Sequence, residues 1–316
     1  MKIALDEKKI RKGKPLGLPY QGSKKKISKK IVEIIKQNFG TDKPIYDIFG
    51  GGGAITAECI LNGLDVHYND LDKDITNAFE RVISQDREWI KTLIISREKF
   101  YDIKVKENKT TDDFLKLLVN SFSNNKKDYM YSKETSDLKY NLAKEITEKH
   151  DVFSGYKQTE TYKKVTSNIK REDKKTLERL EQLEQLQRLE QLEQVKATNK
   201  SYQYFSEVSG AILYLDPPYE GTSQQSYINS FDSQKFYDWA FKMAKNNIVI
   251  ISSYSISDER FEAVYSFDKA RSTLQGGTSD KGQNEKLFMV KSYHALGLLL
   301  LERRCYLAND RPLSGT

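Results

Sequence analysis

An apolar run that stops at an acid and two prolines constrains the fold of this chain more than any other stretch. The run is Ile212–Leu215, followed directly by Asp216, Pro217, Pro218 and Tyr219. Such a run is typical of a buried parallel strand, because prolines end strand pairing. Ligands of open α/β sheets bind at the carboxyl ends of such strands, so we expect a functional site at Asp216.

The chemistry of this turn favours a planar ligand that carries an amino group. The prolines remove two backbone donors, which leaves the Asp216 carboxylate and nearby carbonyls as acceptors. Two acceptors that hold the hydrogens of an exocyclic amine favour its nucleophilic, pyramidal form, and the Tyr219 ring offers a stacking surface. The alternative is a plain strand-ending turn with Tyr219 as a surface aromatic.

A second candidate site is the glycine loop Gly50–Gly53, which follows a short apolar stretch. Glycines let a backbone approach a ligand closely, as a strand-to-helix cofactor loop requires. Two familiar phosphate loops are excluded, since a Walker A loop needs Gly-Lys-Ser/Thr where this chain has Ala54 after its last glycine. A dinucleotide fingerprint that starts at Gly51 needs glycine or alanine where Thr56 stands.

An acid at the end of the next strand-like segment extends this cofactor pattern. Asp70 closes the stretch Val-His-Tyr-Asn-Asp at positions 66–70. A carboxylate at this place offers paired acceptors for two vicinal ribose hydroxyls. The competing interpretation is that Asp70 caps the helix expected to begin near Asp74.

The tetrapeptide 216–219 resembles the catalytic motif of amino-methyltransferases that use S-adenosylmethionine. Over roughly residues 18–292 the chain resembles the Dam-type DNA adenine methyltransferases (D12 class), and the glycine loop precedes the tetrapeptide, as in their alpha group. The resemblance implies an α/β fold, a Rossmann-like methyltransferase sheet with an inserted, mainly helical DNA-recognition domain. We therefore predict a catalytic domain of residues 1–105 and 195–294, an insert of 106–194, and a tail of 295–316 with no assigned role.

Resemblance also assigns roles to individual residues. It implies that the catalytic residues are Asp216, Pro217, Pro218 and Tyr219. It implies that S-adenosylmethionine is held by Tyr20, Lys24, Asp47, Phe49, Gly51, Gly53, Asp70, Ser201, Tyr202 and Asp216. The segment between the two motifs and a later glycine-rich loop carry side chains that suit phosphates and base edges, although they are also ordinary surface residues. Our predicted DNA contacts are Ser121, Asn124, Lys126, Tyr129, Arg271 and Lys281.

The implied activity is site-specific methyl transfer from S-adenosylmethionine to N6 of an adenine flipped out of double-stranded DNA. In this scheme Asp216 and the Pro217 carbonyl hold the amine and Tyr219 stacks on the base, without a metal or a covalent intermediate. The resemblance fits an orphan enzyme of phage or prophage type, related to those of restriction–modification systems. One alternative is a protein glutamine methyltransferase. Enzymes of that class usually have asparagine at the first motif position and a shorter gap between the cofactor loop and that motif. A catalytically inactive DNA-binding relative is the other alternative.

Composition bears on partners and location. The net charge of +7 and the pI of about 9.0 favour an anionic partner. Two widely separated cysteines and three histidines make no ligand spacing, so we expect neither disulfides nor zinc. The aliphatic run 298–301 is too short to span a bilayer. We expect a soluble monomer in the cytoplasm of a bacterial or phage-infected cell.

Leucine recurs at every third position in a charged segment, at Leu177, Leu180, Leu183, Leu186, Leu189 and Leu192. On an α-helix each such step turns the stripe by about 60°, so the run winds around the helix. A coiled coil needs alternating steps of three and four, which disfavours a dimerisation role. We predict a helical connector that buries only part of its leucines.

Overall fold

The computed structural model describes residues 3–20, 22–169, 175–192, 195–220, 231–267 and 284–291. Arg271, Lys281 and the tail 295–316 lie outside these residues. What the sequence predicts for them therefore stays a prediction.

A seven-stranded sheet forms the centre of the described structure. Its strands are β1 (Ile45–Asp47), β2 (Val66–Asn69), β3 (Ala197–Thr198), β4 (Ile212–Leu215), β5 (Ile248–Ser253), β6 (Phe261–Ser266) and β7 (Lys286–Val290). They lie in the order β3-β2-β1-β4-β5-β7-β6. The first five run parallel, and β7 runs antiparallel to both of its neighbours. All four residues of β4 are buried, which confirms the parallel core strand predicted there.

The chain changes direction across the sheet between β1 and β4. From β1 it continues to β2 on one side, whereas β4 lies on the other side of β1. Asp47 pairs with Tyr214 in the β1–β4 register, so both strands end at the same level. A switch point of this kind opens a crevice at the carboxyl edge. The glycine loop and the Asp216 turn therefore border one crevice.

Helices cover both faces of the sheet. On one face α1 (Ser28–Phe39) and α2 (Ala54–Leu61) pack against strand residues that include Ile45 and Ile212. On the same face α3 (Lys73–Ile83) packs against Tyr68, and on the other face α10 (Ser233–Met243) packs against Leu213. Alternate strand residues face opposite layers because side chains alternate along a strand. The three layers confirm the predicted α/β class.

The chain between α3 and β3 is mainly helical, as predicted. Its helices are α4 (Arg87–Lys91), α5 (Arg97–Lys104), α6 (Thr111–Asn120), α7 (Lys133–His150), α8 (Glu160–Thr166) and α9 (Glu178–Gln187). Apolar side chains of all of these helices except α5 share one buried cluster with α3, and those of α5 lie in a separate cluster with Leu117 of α6. None of the helices in the described ranges is long and apolar enough to cross a membrane. The predicted domain boundaries remain predictions.

The leucine repeat is more deeply buried than its spacing suggested. All six leucines are at most 2% exposed, so the prediction that only part of them pack is wrong. Leu180, Leu183 and Leu186 span about 120° of α9, which matches a wide apolar stripe. The chain then tightens into a 3₁₀ turn, Arg188–Leu192. With three residues per turn, this turn keeps the last two leucines on one side.

Candidate active site

The glycine loop is held in place by bonds from three directions. The Leu18 backbone N–H donates to Gly52 O at 2.8 Å, which ties the amino-terminal segment to the loop. The Tyr68 hydroxyl donates to Gly51 O at 2.6 Å, and Gly51 N donates to Asp70 Oδ2 at 2.8 Å. The loop therefore has a fixed shape set by β2 and by the segment before α1.

Glycine is required here by space as well as by conformation. Gly53 has a φ of +71°, and a Cβ built on it would lie 2.4 Å from the Phe79 ring. A Cβ on Gly51 would lie 3.5 Å from the ring of Tyr20, so this tyrosine borders the loop. The loop is thus a close-fitting backbone cradle with an aromatic side chain at its rim.

Asp70 faces the loop as the cofactor hypothesis expects. Its two carboxylate oxygens accept from Gly51 N and from Asp72 N, each at 2.8 Å. The cap of α3 is Asp72, which accepts from the backbone N–H groups of Asp74 and Ile75, so the alternative role proposed for Asp70 belongs to its neighbour. Burial raises the pKa of Asp70, opposed by these backbone donors. Each oxygen retains a further lone pair, which fits two vicinal hydroxyls.

Asp47, at the end of β1, has an unused buried acceptor. Its Oδ2 accepts from Thr56 N at 3.1 Å and from Thr56 Oγ1 at 2.7 Å. Its Oδ1 is buried and accepts no bond within the part of the chain that the structure describes. Burial raises the pKa of Asp47 to about 7, although the Thr56 hydroxyl opposes this. An orphaned buried oxygen fits a ligand with a donor group, such as an ammonium.

The predicted cofactor-binding residues Phe49 and Tyr202 lie together. Their rings stack with centroids 6.1 Å apart. The segment that carries Tyr202 is tied to β2, because Asn69 Nδ2 donates to Lys200 O at 3.0 Å. Ser201 has a local role as the exposed N-cap of a short 3₁₀ turn. Phe49 and Tyr202 thus supply an aromatic wall near the glycine loop. The Ser201 hydroxyl accepts a hydrogen bond from Gln203 N within its own turn.

The tetrapeptide 216–219 meets two charged residues from distant parts of the chain. Lys24 Nζ lies 2.8 Å from Asp216 Oδ2 and donates to the Tyr219 hydroxyl at 2.6 Å. The Tyr219 hydroxyl lies 2.5 Å from Glu285 Oε1 and 3.2 Å from Asp216 Oδ1. Glu285, which the sequence analysis missed, is therefore part of this cluster.

Hydrogen-bond distances indicate where the single Tyr219 proton goes. An O–H···O bond is normally 2.5–3.0 Å long, so the bond to Glu285 is strong and the 3.2 Å contact with Asp216 is weak. Glu285 is itself held by the Ser252 hydroxyl, which donates to it at 2.6 Å. Asp216 Oδ1 consequently keeps its capacity to accept from a ligand.

The charges in the cluster are nearly enclosed. The side chains of Lys24, Asp216 and Glu285 are only 12%, 17% and 12% exposed. Burial raises the pKa of Asp216 to about 6, opposed by the Lys24 ammonium and reinforced by Glu285. Burial disfavours the charged form of Lys24, but the two carboxylates outweigh it and raise the Lys24 pKa. Burial also raises the pKa of Tyr219, which keeps its hydroxyl a donor.

Strand direction explains how Glu285 reaches this edge. Because β7 runs antiparallel to β5, with Lys286 opposite Ser253, its amino end lies beside the carboxyl end of β5. Tyr254, directly after β5, packs edge-to-face on Tyr219 with centroids 4.7 Å apart. The only sequence signal for Glu285 was an acid directly before an apolar strand, and that pattern is common.

Two of the predicted DNA contacts are internal. Ser121 is 1% exposed, and its hydroxyl donates to Leu118 O and accepts from Lys126 N. Tyr129 is 5% exposed and donates to Ile95 O at 2.9 Å. Their polar atoms stabilise the helical region, so we do not carry these two residues forward as DNA contacts.

The other two predicted contacts in this segment lie nearer the surface. Asn124 donates to Gln182 Oε1 at 3.1 Å, which connects the loop after α6 to α9. Lys126 Nζ lies 4.3 Å from the Phe114 ring centroid, and burial lowers the Lys126 pKa. Both residues have positive φ angles, so the loop is tightly turned. A role in DNA binding remains a prediction for them.

This strand order, with a glycine loop after β1 and an acidic turn after β4, is consistent with the fold of S-adenosylmethionine-dependent methyltransferases. Sequence comparison identifies the family, because the model of the D12 class N6 adenine-specific DNA methyltransferases matches residues 20–278. The chain belongs to this family. Its members act on adenine in DNA and generally use S-adenosylmethionine. No curated protein matches the chain. Within the described ranges, no group of three or more His, Cys, Asp or Glu side chains is placed to hold a metal.

Proposed function

We propose that the protein transfers a methyl group from S-adenosylmethionine to N6 of an adenine flipped out of duplex DNA at a defined sequence. The observation that carries this proposal is Oδ1 of Asp216, whose only contact in the described residues is a long one, 3.2 Å from the Tyr219 hydroxyl, so that the oxygen can accept a further hydrogen bond. It lies at the carboxyl end of β4, beside the glycine loop and with its partner oxygen 2.8 Å from Lys24. An amine held at this oxygen is next to the crevice that suits the cofactor.

The residues around the crevice fit the chemical groups of S-adenosylmethionine. The backbone at Gly51 and Gly53 gives close approach, and Asp70 suits the ribose hydroxyls. Asp47 Oδ1 suits the ammonium group, and the Phe49–Tyr202 wall suits the adenine ring. When bound, the cofactor supplies an electrophilic methyl group on its sulfonium.

Asp216 and the Pro217 carbonyl are the proposed acceptors for the two hydrogens on N6. Holding both hydrogens favours the pyramidal amine, whose lone pair is then available for attack. The N6 proton becomes acidic only as the methyl group passes from the sulfonium to the nitrogen, and the Asp216 carboxylate that accepts its hydrogen bond can take it up. Orientation therefore supplies most of the rate enhancement, and a strong general base is unnecessary.

The adenine amine is inaccessible within stacked DNA, so the base must leave the helix before reaction. Tyr219 is proposed to stack on the flipped base. The Tyr219 hydroxyl is anchored by Lys24 and Glu285, and its ring is buttressed by Tyr254. Anchoring at both positions reduces the ring's freedom and favours one orientation of the base.

The test is methylation of unmethylated genomic DNA with methyl-labelled S-adenosylmethionine, beside an Asp216→Ala control. We expect N6-methyladenine with the wild type only, at adenines that share flanking bases. Matching circular dichroism spectra and urea unfolding of the two proteins show that the control retains its fold, and calorimetry measures cofactor binding by the wild type. Unlabelled DNA despite normal cofactor binding would exclude the proposal. Fluorescence of 2-aminopurine at the mapped position then tests base flipping.

A further inference from the structure

A basic groove lies between the amino-terminal segment and the helical region. Its volume is about 570 Å³. The amino-terminal side provides Lys14, Lys25 and Lys26, and the helical side provides Lys157 and Arg188. Most of the residues that line the groove carry polar or charged groups, and Lys14, Lys26 and Lys157 are exposed to solvent. A groove with this lining suits an extended anionic ligand better than an apolar one.

The acidic residues of the groove do not balance its basic ones. Glu184 is the shared partner of Lys14, at 3.5 Å, and of Arg188, at 2.5 Å. Glu181, the other acid in the lining, accepts from the Tyr156 hydroxyl at 3.2 Å. Five basic and two acidic side chains leave a positive excess, which attracts anions over a distance set by the salt concentration.

Lys25 carries a partly buried positive charge in this groove. Its ammonium is partly buried and donates to the neutral Gln185 Oε1 at 2.7 Å. No carboxylate in the described part of the chain lies within ion-pair distance of it, and burial lowers the pKa of Lys25 to about 8. A desolvated cation without a counter-ion is costly, and an anion beside it would offset that cost.

The groove begins one residue away from the catalytic cluster. Lys24 and Lys25 are consecutive in the 3₁₀ turn Lys24–Lys26, where neighbouring side chains point about 120° apart. Lys24 reaches Asp216, whereas Lys25 reaches Gln185 on α9. One short turn therefore connects the catalytic cluster to the groove on the helical side.

We infer that this groove binds the sugar–phosphate backbone of DNA beside the target adenine, with Lys25 and Lys157 contacting phosphates from its two walls. The inference rests on the proposed methyltransferase function and adds the path of the substrate. Phosphate contacts fix the register of a protein on DNA without reading its sequence. The groove would hold the strand while the adjacent adenine enters the crevice.

The test is the salt dependence of DNA binding by Lys25→Gln and Lys157→Gln. A matched control is Lys43→Gln. Lys43 lies just before β1, at the amino ends of the parallel strands, whereas the crevice lies at their carboxyl ends. Each phosphate contact contributes about 0.9 to the slope of log K against log salt concentration. We expect each groove variant to lower the slope by about 1. The control should keep the wild-type slope.

Each alternative outcome is distinct. Wild-type slopes in both groove variants, with methylation intact, would overturn the groove while leaving the proposed function standing. Inorganic phosphate binding that depends on Lys25, with an unchanged DNA slope, would show a small-anion site and also overturn the inference. A wild-type protein that binds no DNA would overturn both proposals. Lys157 is exposed, so its variant keeps the test valid even where Lys25→Gln disturbs packing.

Discussion

The Tyr219 hydroxyl lies 2.5 Å from Glu285 Oε1 but 3.2 Å from Asp216 Oδ1, so the tyrosine proton is directed away from the Asp216 carboxylate. Glu285, which accepts this proton, lies directly before β7 and 66 residues further along the chain than Tyr219. The relationship assigns Glu285 a positioning role, because it leaves Asp216 free to accept from the substrate amine. Variants of Glu285 test this role through kcat and through the pH dependence of kcat.

Removing Glu285 should impair catalysis through Tyr219. In Glu285→Ala the tyrosine hydroxyl would turn to Asp216 and compete with the amine. A hydrogen bond to a charged group is worth about 1.5–3 kcal/mol, so we expect kcat to fall roughly 10- to 100-fold. In the Tyr219→Phe background the same substitution should cost much less, because no hydroxyl competes. Equal losses in the two backgrounds, measured as a double-mutant cycle of kcat, would rule out this route.

The acid limb of the pH–rate profile should report the ionisation of Asp216, whose pKa burial raises to about 6. The carboxylate accepts only when it is ionised, so kcat should fall as the pH drops through about 6. Glu285→Gln removes a negative neighbour and should move this limb to lower pH. Lys24→Met removes a positive neighbour and should move it to higher pH. Because these groups titrate together, the measured value belongs to the cluster. A limb that stays fixed in both variants would contradict the assignment.

We expect the ionised Asp47 carboxylate to lower the stability of the folded protein and to contribute to cofactor binding. The pKa of Asp47 is about 7 in the folded protein, above its unfolded value, so the folded state binds the proton more tightly than the unfolded state does. The stability that comes from the protonated carboxyl is therefore fully present below about pH 4 and is lost as the pH rises towards 7. Asp47→Asn should therefore raise the free energy of unfolding more at pH 8 than at pH 5, by roughly 2–3 kcal/mol.

The substitution Asp47→Asn, which should raise stability, should lower the affinity for the cofactor. An amide nitrogen at the Oδ1 position of Asp47 would repel an ammonium group, so Asp47→Asn should weaken S-adenosylmethionine binding. The exposed Asp65→Asn is the control and should change neither quantity. Urea unfolding at the two pH values and calorimetric titration measure both. Undiminished affinity would remove Asp47 from the binding site.

Two glycines with similar φ angles should respond differently to alanine. A Cβ on Gly53 (φ +71°) would meet the Phe79 ring, whereas a Cβ on Gly63 (φ +69°) would have no neighbour within 4 Å in the described part of the chain. Gly63→Ala should cost only the backbone strain, about 1–2 kcal/mol. Gly53→Ala should cost about 1–3 kcal/mol more from overpacking. It should also weaken cofactor binding, which Gly63→Ala should leave unchanged. Similar stabilities for the two variants, measured by urea unfolding, would show that the loop is looser than its contacts indicate.

The sequence by itself determined the β4 strand with its acidic turn, the glycine loop after β1 and the acid after β2. These features are local, because an apolar run, a glycine or a proline acts on its own few residues whatever surrounds them. Their order along the chain also sufficed to recognise the family.

Only the tertiary structure decided which distant side chains join or leave the site. Glu285 joins it because β7 runs antiparallel to β5, and strand direction depends on pairing across the sheet. Ser121 and Tyr129 leave the surface, and all six repeat leucines become buried, because burial depends on which elements pack together. Residue type and spacing carry little information about such contacts, since they form between segments far apart in the chain.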